Sequence, residues 1–230
     1  TVFVLIAVLL FFFIKQRPVQ AKNKDQLSLH HITLHKNMKI LIPFVVLTLL
    51  YTSHWMNSLN ISLFIIHNLK GDTNDVALVS SICAILEIPL MLMLGVLAAK
   101  YSNRLLIFLG ALTGVVYYLL VLMSTEMWQL FAGQLLLAFF VAVISAIGIS
   151  YMQDLLPSLP GYASTLYSNA TTIGRLAGSL MGGLFAQWMG YRNSYWICLF
   201  LILCCLGLLA ISKKLEFDQS AALQERNHSL

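Results

Sequence analysis

The chain has 230 residues, 59% of them hydrophobic and 10% charged, against about 25% charged in soluble domains. No water-soluble core of this length needs so much apolar surface, so composition excludes a soluble enzyme or binding domain. The net charge of +5 is not a nucleic-acid footprint, because its basic residues gather in particular loops.

Residues 1–14 are almost wholly apolar and end at Lys15. A signal peptide has a basic region before its apolar run and a small-residue cleavage site after it. This stretch has neither, and it reads as the end of a preceding transmembrane helix, so the sequence is expected to be the later part of a longer chain. Residues 15–37 carry five basic residues, one acid and the histidines His30, His31 and His35. They lack the Cys or acid spacing of a metal site, and a solvated linker is expected.

Six stretches of membrane-spanning length follow, at 38–66, 76–99, 105–123, 127–150, 163–189 and 195–212. About 20 helical residues cross a bilayer core. The predicted fold class is all-α: a polytopic six-helix bundle over 38–212, with a frayed polar tail at 213–230. With these limits Lys15, Arg17, Lys22, Lys24, Lys36, Lys39, Lys100, Arg104, Lys213, Lys214 and Arg226 share one side. Only Lys70 and Arg192 fall on the other. By the positive-inside rule the 15–37 segment and the C-terminal tail are expected in the cytoplasm.

The first span is the most polar. Tyr51, His54, Asn57, Ser58 and Asn60 project over roughly half the helix circumference at about 100° per residue. Neutral hydrogen-bonding groups beside aromatics suit an uncharged polyhydroxy ligand, with interhelical hydrogen bonding as the alternative. Asn57, Asn60, His54 and Tyr51 are therefore candidate substrate contacts. The 67–75 loop holds Gly71-Asp72-Thr73-Asn74-Asp75, turn chemistry with an Asp cap for the next helix.

Glu87 in the second span and Arg175 in the fifth are the two ionisable residues near mid-span. Such groups usually face a bundle interior or an aqueous path. Glu87 is read either as a proton-coupling acid or as a structural partner of Arg175. Pro89 lies two residues on and frees the carbonyl of Ile85, which membrane helices tolerate where that group finds a partner or lines a cavity. In the fourth span Gln134 lies in the outer third and is a further candidate substrate contact, as is Arg175, while Gln153 and Asp154 mark a cytoplasmic helix end or gate. In the fifth, Ser168, Thr171, Thr172, Arg175 and Ser179 share a polar face, with Asn169 as a further cavity candidate. Ala170, Gly174, Gly178, Gly182 and Ala186 form a small-residue row that favours close helix packing. The four cysteines, Cys83, Cys198, Cys204 and Cys205, lie within spans without ligand spacing and read as small hydrophobes. No metal or cofactor is expected. The nucleophile, zinc-protease and paired-aspartate patterns of intramembrane enzymes are not found, and neither is a channel filter loop.

Leu86-Glu87-Ile88-Pro89, Tyr151-Met152-Gln153-Asp154-Leu155-Leu156-Pro157, and Gly161 with Leu166-Tyr167-Ser168-Asn169 resemble the sugar efflux transporter family of the major facilitator superfamily. Gly95 to Arg104 is similar to the superfamily's cytoplasmic loop motif, with Ala99 where the motif has an acid and Ser102 where it has glycine. The resemblance covers about 38–212 and implies the C-terminal half of a twelve-helix carrier of the bacterial inner membrane. It implies alternating access and export of sugars or glycosides against proton entry, with the N-terminal half, the bilayer, a sugar and protons as partners. An exporter of drugs or other small amphiphiles is the alternative, kept open by Tyr51, Trp55 and Phe64.

Overall fold

The computed structural model describes the backbone of residues 38–228 and the side chains of residues 40–212. The expectations for the 1–14 helix end and the 15–37 linker lie outside the described residues. Within them the elements are α1 (Met38–Asn68), α2 (Thr73–Ala98), α3 (Asn103–Met123), α4 (Met127–Ala142), α5 (Gly148–Leu155), α6 (Pro160–Asn193) and α7 (Tyr195–His228). A π-helical turn, Val143–Ile147, joins α4 to α5.

Among the described residues five helical runs are long and apolar enough to cross a bilayer: Ile40–Asn68, Thr73–Ala98, Asn103–Met123, Met127–Leu155 and Tyr195–Ser212. The remaining expected span, the fifth at 163–189, falls within α6. That helix is long enough to cross, but its Ser, Thr, Asn and Arg residues leave it less apolar than the others. The protein is an all-α, multi-pass membrane bundle. Asp72 caps α2 as expected, accepting from the Asp75 amide at 2.9 Å while Asp75 accepts from the Asp72 amide at 2.9 Å. The first of these bonds holds the Asp72 carboxyl below its usual range. α6 breaks at Gly190, whose φ of 81° favours glycine, one residue past the expected span end. The 213–230 tail, expected to fray, instead continues α7 to His228, in keeping with its Leu, Glu, Gln, Ala and Lys helix formers.

α1 packs on α6 and α7, α2 on α4 and the π turn, α3 on α4 and α7, and α5 on α6. The α1–α6 contact is a backbone-to-backbone approach along the predicted small-residue row. A Cβ built on Gly174 would lie 2.5 Å from Tyr51 Cβ and 2.8 Å from the Thr48 carbonyl oxygen. One on Gly178 would strike the Thr52 carbonyl oxygen and lie 2.9 Å from Trp55 Cβ. At the end bearing the 69–72 turn, Arg192 donates to the Leu122 carbonyl at 3.0 Å and lies 5.3 Å over the Phe64 ring. That one side chain ties α1, α3 and α6 together.

α2 sits at the rim of the bundle. Its buried residues are Val79 and Leu94, while Ile85, Leu92 and Val96 point outward. An apolar outer face is what a bilayer solvates. Cys83, Glu87 and Leu90, on the side nearer the packed face, are half-buried.

The seam predicts a contrast within one helix. Gly178→Ala drives a methyl into the α1 backbone, which cannot yield as a side-chain tip would, and should cost roughly 1–3 kcal/mol. Gly183→Ala meets nothing within 4 Å and should be neutral or slightly stabilising. Unfolding of both variants in detergent measures this; equal stabilities would mean the seam is not tight.

Candidate functional site

A cavity of about 160 Å³ opens between α1, α2 and α4. His54, Asn57, Ser58 and Ile61 line it from α1, Val79, Ser80 and Cys83 from α2, and Gln134 and Leu137 from α4. The α1 residues fall at the i, i+3, i+4, i+7 spacing of one helix face. Three of the sequence candidates, His54, Asn57 and Gln134, thus meet around one space.

The chemistry of the lining is neutral and polar. Tyr117 on α3 donates to Asn57 Oδ1 at 3.3 Å and orients that amide. Gln134 donates through Nε2 to the Leu130 carbonyl at 3.0 Å, which leaves Oε1 as an acceptor. Gln134 Oε1 and His54 Nδ1 are both buried and without a hydrogen-bond partner among the described residues. A buried polar atom left so costs about 1–3 kcal/mol, and such exceptions call for a specific cause. Two of them on one cavity, beside the Ser58 and Ser80 hydroxyls, fit a ligand with many hydroxyl groups. Such a ligand donates to the two acceptors and accepts from the amide and hydroxyl protons.

The remaining candidates lie elsewhere. Asn60, expected with Asn57, is turned about 60° from it around α1 and donates to Ser194 Oγ at 3.0 Å. Its amide ties α1 to the α6–α7 junction. Tyr51, also expected as a substrate contact, has its hydroxyl 2.6 Å from that of Tyr167 and donates to the Ile144 carbonyl at 3.1 Å. The Tyr167 hydroxyl also reaches the Ser145 carbonyl at 3.2 Å. The two tyrosines thereby cover carbonyls of the π turn, where the α-helical ladder is interrupted. Asn169 is exposed on the same helix face as Ile173, Leu176 and Leu180, the apolar outer side of α6, rather than on the Ser168 face.

Glu87 is half-buried on α2, one turn from Cys83. Arg175 is exposed on α6 and lies 5.3 Å over the Trp55 ring. α2 and α6 do not form a packed pair, and no Glu87–Arg175 ion pair is made among the described residues. Gln153 donates to Ser164 Oγ at 3.2 Å, and Asn103 donates to Asp154 Oδ2 at 2.7 Å. These join α5 to α6 and α3 to α5 at one end of the bundle, in keeping with the helix-end reading.

Two contributors were missed from sequence. Cys83, read as a plain hydrophobe, lines the cavity four residues before Glu87, a spacing that placed both on one side of α2. Tyr117 orients Asn57 from a helix whose pattern carries no polar signal, so only tertiary packing reveals it.

The major facilitator superfamily model matches residues 43–226. Sugar efflux transporter A of Dickeya chrysanthemi is 28% identical over 198 residues, 86% of this chain and 50% of that protein. A putative sugar efflux transporter of Deinococcus radiodurans is 34% identical over 154 residues, 67% of this chain and 40% of that protein. Sugar efflux transporter C of Escherichia coli K12 is 30% identical over 165 residues, 72% and 42% respectively. The chain spans about half the length of these curated relatives.

The geometry separates the two asparagines. Asn60→Ala removes a buried tie and should lower stability by roughly 1–3 kcal/mol. Asn57→Ala should cost less, since its bond to the Tyr117 hydroxyl is the longer of the two at 3.3 Å. Denaturation midpoints test the order, and the reverse order would contradict the assignment of Asn60 to packing.

Proposed function

This chain belongs to the major facilitator superfamily, and from that premise we propose that it forms part of a secondary transporter exporting sugars or glycosides by alternating access. The single observation that carries the sugar reading is the neutral cavity between α1, α2 and α4, with Gln134 Oε1 and His54 Nδ1 unpartnered on its wall. The names of the relatives agree with it. In this reading residues 38–212 are the C-terminal six-helix half of a twelve-helix carrier in a bacterial inner membrane. The N-terminal half supplies the other wall of the substrate path, as carriers of this architecture bind between repeats. The clustering of basic residues in the loops of one side supports a cytoplasmic C-terminus and 15–37 segment.

Glu87 is the proposed proton-coupling residue. It is the one acid within a span core among the described residues, it is half-buried on the side of α2 nearer the packed face, and Pro89 removes a backbone donor close beside it. A carboxyl moving between a water-filled path and a drier packing changes its proton affinity, which is what exchange of a proton for a sugar requires.

The rival, an exporter of drugs or small amphiphiles, calls for an aromatic-lined site. Tyr51 is engaged at the π turn, Phe64 stacks edge-on against Tyr195 at 5.7 Å, and Trp55 lies under Arg175. None of the three lines the cavity, which weighs for the sugar.

Two variants test the proposal in the full-length protein. Asn57→Ala and Gln134→Leu should each weaken sugar binding about 5- to 150-fold with little change in yield. Glu87→Gln keeps the shape and removes the titrating proton, so it should abolish proton-driven accumulation while leaving sugar exchange intact. Native affinity in both cavity variants would remove the site, and uphill pumping by Glu87→Gln at the native rate would make that acid structural.

A further inference from the structure

Arg175 differs from the other lysines and arginines whose side chains are described, Lys70, Lys100, Arg104 and Arg192. Lys70 and Lys100 lie in turns. Arg104 donates to the Leu209 carbonyl at 2.7 Å, and Arg192 to the Leu122 carbonyl. Arg175 lies mid-helix on α6, and its recorded contact is the face of Trp55. A guanidinium carries five N–H donors in a planar fork, and a ring face satisfies none of them. The indole partner repeats the pattern: Trp55 Nε1 is buried with no acceptor. Thr172, one turn from Arg175 on the same face, donates its hydroxyl proton to the Ser168 carbonyl at 2.9 Å. It has no proton left for a ligand. What remains is a set of unmatched donors around one positive charge.

That pair is held by the seam. Trp55 Cβ lies against Gly178, one turn along α6 from Arg175, so the glycine fixes the ring beneath the guanidinium. No acid with a described side chain forms an ion pair with Arg175: Asp72, Asp75 and Glu126 sit at helix starts, Asp154 is bonded to Asn103, and Glu87 is on a helix that does not pack on α6.

We propose that Arg175, braced by Trp55, binds a carboxylate on the exposed face of the α1–α6 pair. The group is a carboxylate, not a phosphate, because one cation in a low-dielectric setting neutralises one charge, and a phosphate brings about −1.5 to −2. The planar fork matches two carboxylate oxygens, and the indole N–H supplies a third donor. Two sources share this chemistry. One is the acid group of a substrate, which makes acidic sugars part of the transported class and rests on the sugar-export reading. The other is an acidic side chain from elsewhere in the full-length protein, which does not rest on it.

Glucose and glucuronate, which differ in carrying a CH2OH or a carboxylate at one carbon, separate the sources. Binding to the full-length protein is read by fluorescence, with Tm measured in parallel. A substrate carboxylate predicts that glucuronate binds about tenfold or more tightly than glucose. That preference vanishes in Arg175→Gln and is partly kept in Arg175→Lys. A protein carboxylate predicts no preference, but a lower Tm in Arg175→Gln that Arg175→Lys restores. The drop must persist in a Trp55→Leu background, where the ring contact is already gone. Arg175→Gln with native Tm and no glucuronate preference overturns the proposal. So does a Tm drop that disappears in the Trp55→Leu background, again with no glucuronate preference. Failure of glucose to bind at all counts against the sugar reading, and Arg175 is then judged on the Tm measurements.

Discussion

The close approach of α1 to α6 is the constraint on which the rest of this bundle hangs. Lipid tails are as apolar as leucine side chains, so helices in a bilayer gain little from simply burying apolar area against each other. They associate where backbones come close enough for dense van der Waals contact. Gly174 and Gly178 provide that here, each with α1 backbone where a Cβ would stand. Once the two helices are locked at this distance, the rotation of α1 is fixed. Tyr51 then faces Tyr167 and the π turn, Trp55 faces Arg175, Asn60 meets Ser194, and His54 and Asn57 are turned toward α2 and α4.

A second constraint is polar satisfaction. Inside a membrane an unpaired donor or acceptor finds no bulk water, so the partners must come from the protein. Most of the buried polar groups obey. Tyr118 donates to the Ser53 carbonyl at 3.0 Å, Asn60 to Ser194, and Arg192 to Leu122. The exceptions are concentrated. Of the five buried side-chain atoms without a partner among the described residues, three belong to His54, Trp55 and Gln134. His54 and Gln134 meet at the cavity, and Trp55 follows His54 in α1 beneath the guanidinium. The other two, Asn103 Oδ1 and the Tyr195 hydroxyl, lie away from the cavity, so unmet polar atoms gather around it without being confined to it.

Much of this was legible in the sequence, and the limits have physical causes. Span length, the Asp72 cap and the small-residue row are local or periodic features, and they matched the structure closely. The row even named the helix that would approach another, though not its partner. His54, Asn57 and Gln134, which line one cavity, were singled out because a polar residue in an apolar helix needs a reason. The same rule could not separate ligand contact from interhelical bonding, and so it also selected Asn60, which ties α1 to Ser194. The bond of Tyr51 to the π turn was not legible in the sequence, because that turn, Val143–Ile147, has no Pro or Gly inside it to mark it. Asn169 was drawn in by its neighbours Ser168 and Thr171, yet 100° of rotation per residue puts it on the outer side. The Glu87–Arg175 pair failed as a geometric matter: equal depth in two helices says nothing about whether those helices touch.

The central claim is that this chain helps to form a carrier with a saturable sugar site. Counterflow tests it most directly: full-length protein in vesicles preloaded with unlabelled sugar, with labelled sugar added outside. The account predicts transient accumulation of label above equilibrium that saturates with concentration and is weakened by Asn57→Ala. Flux that rises linearly with sugar concentration, with no overshoot, would contradict it.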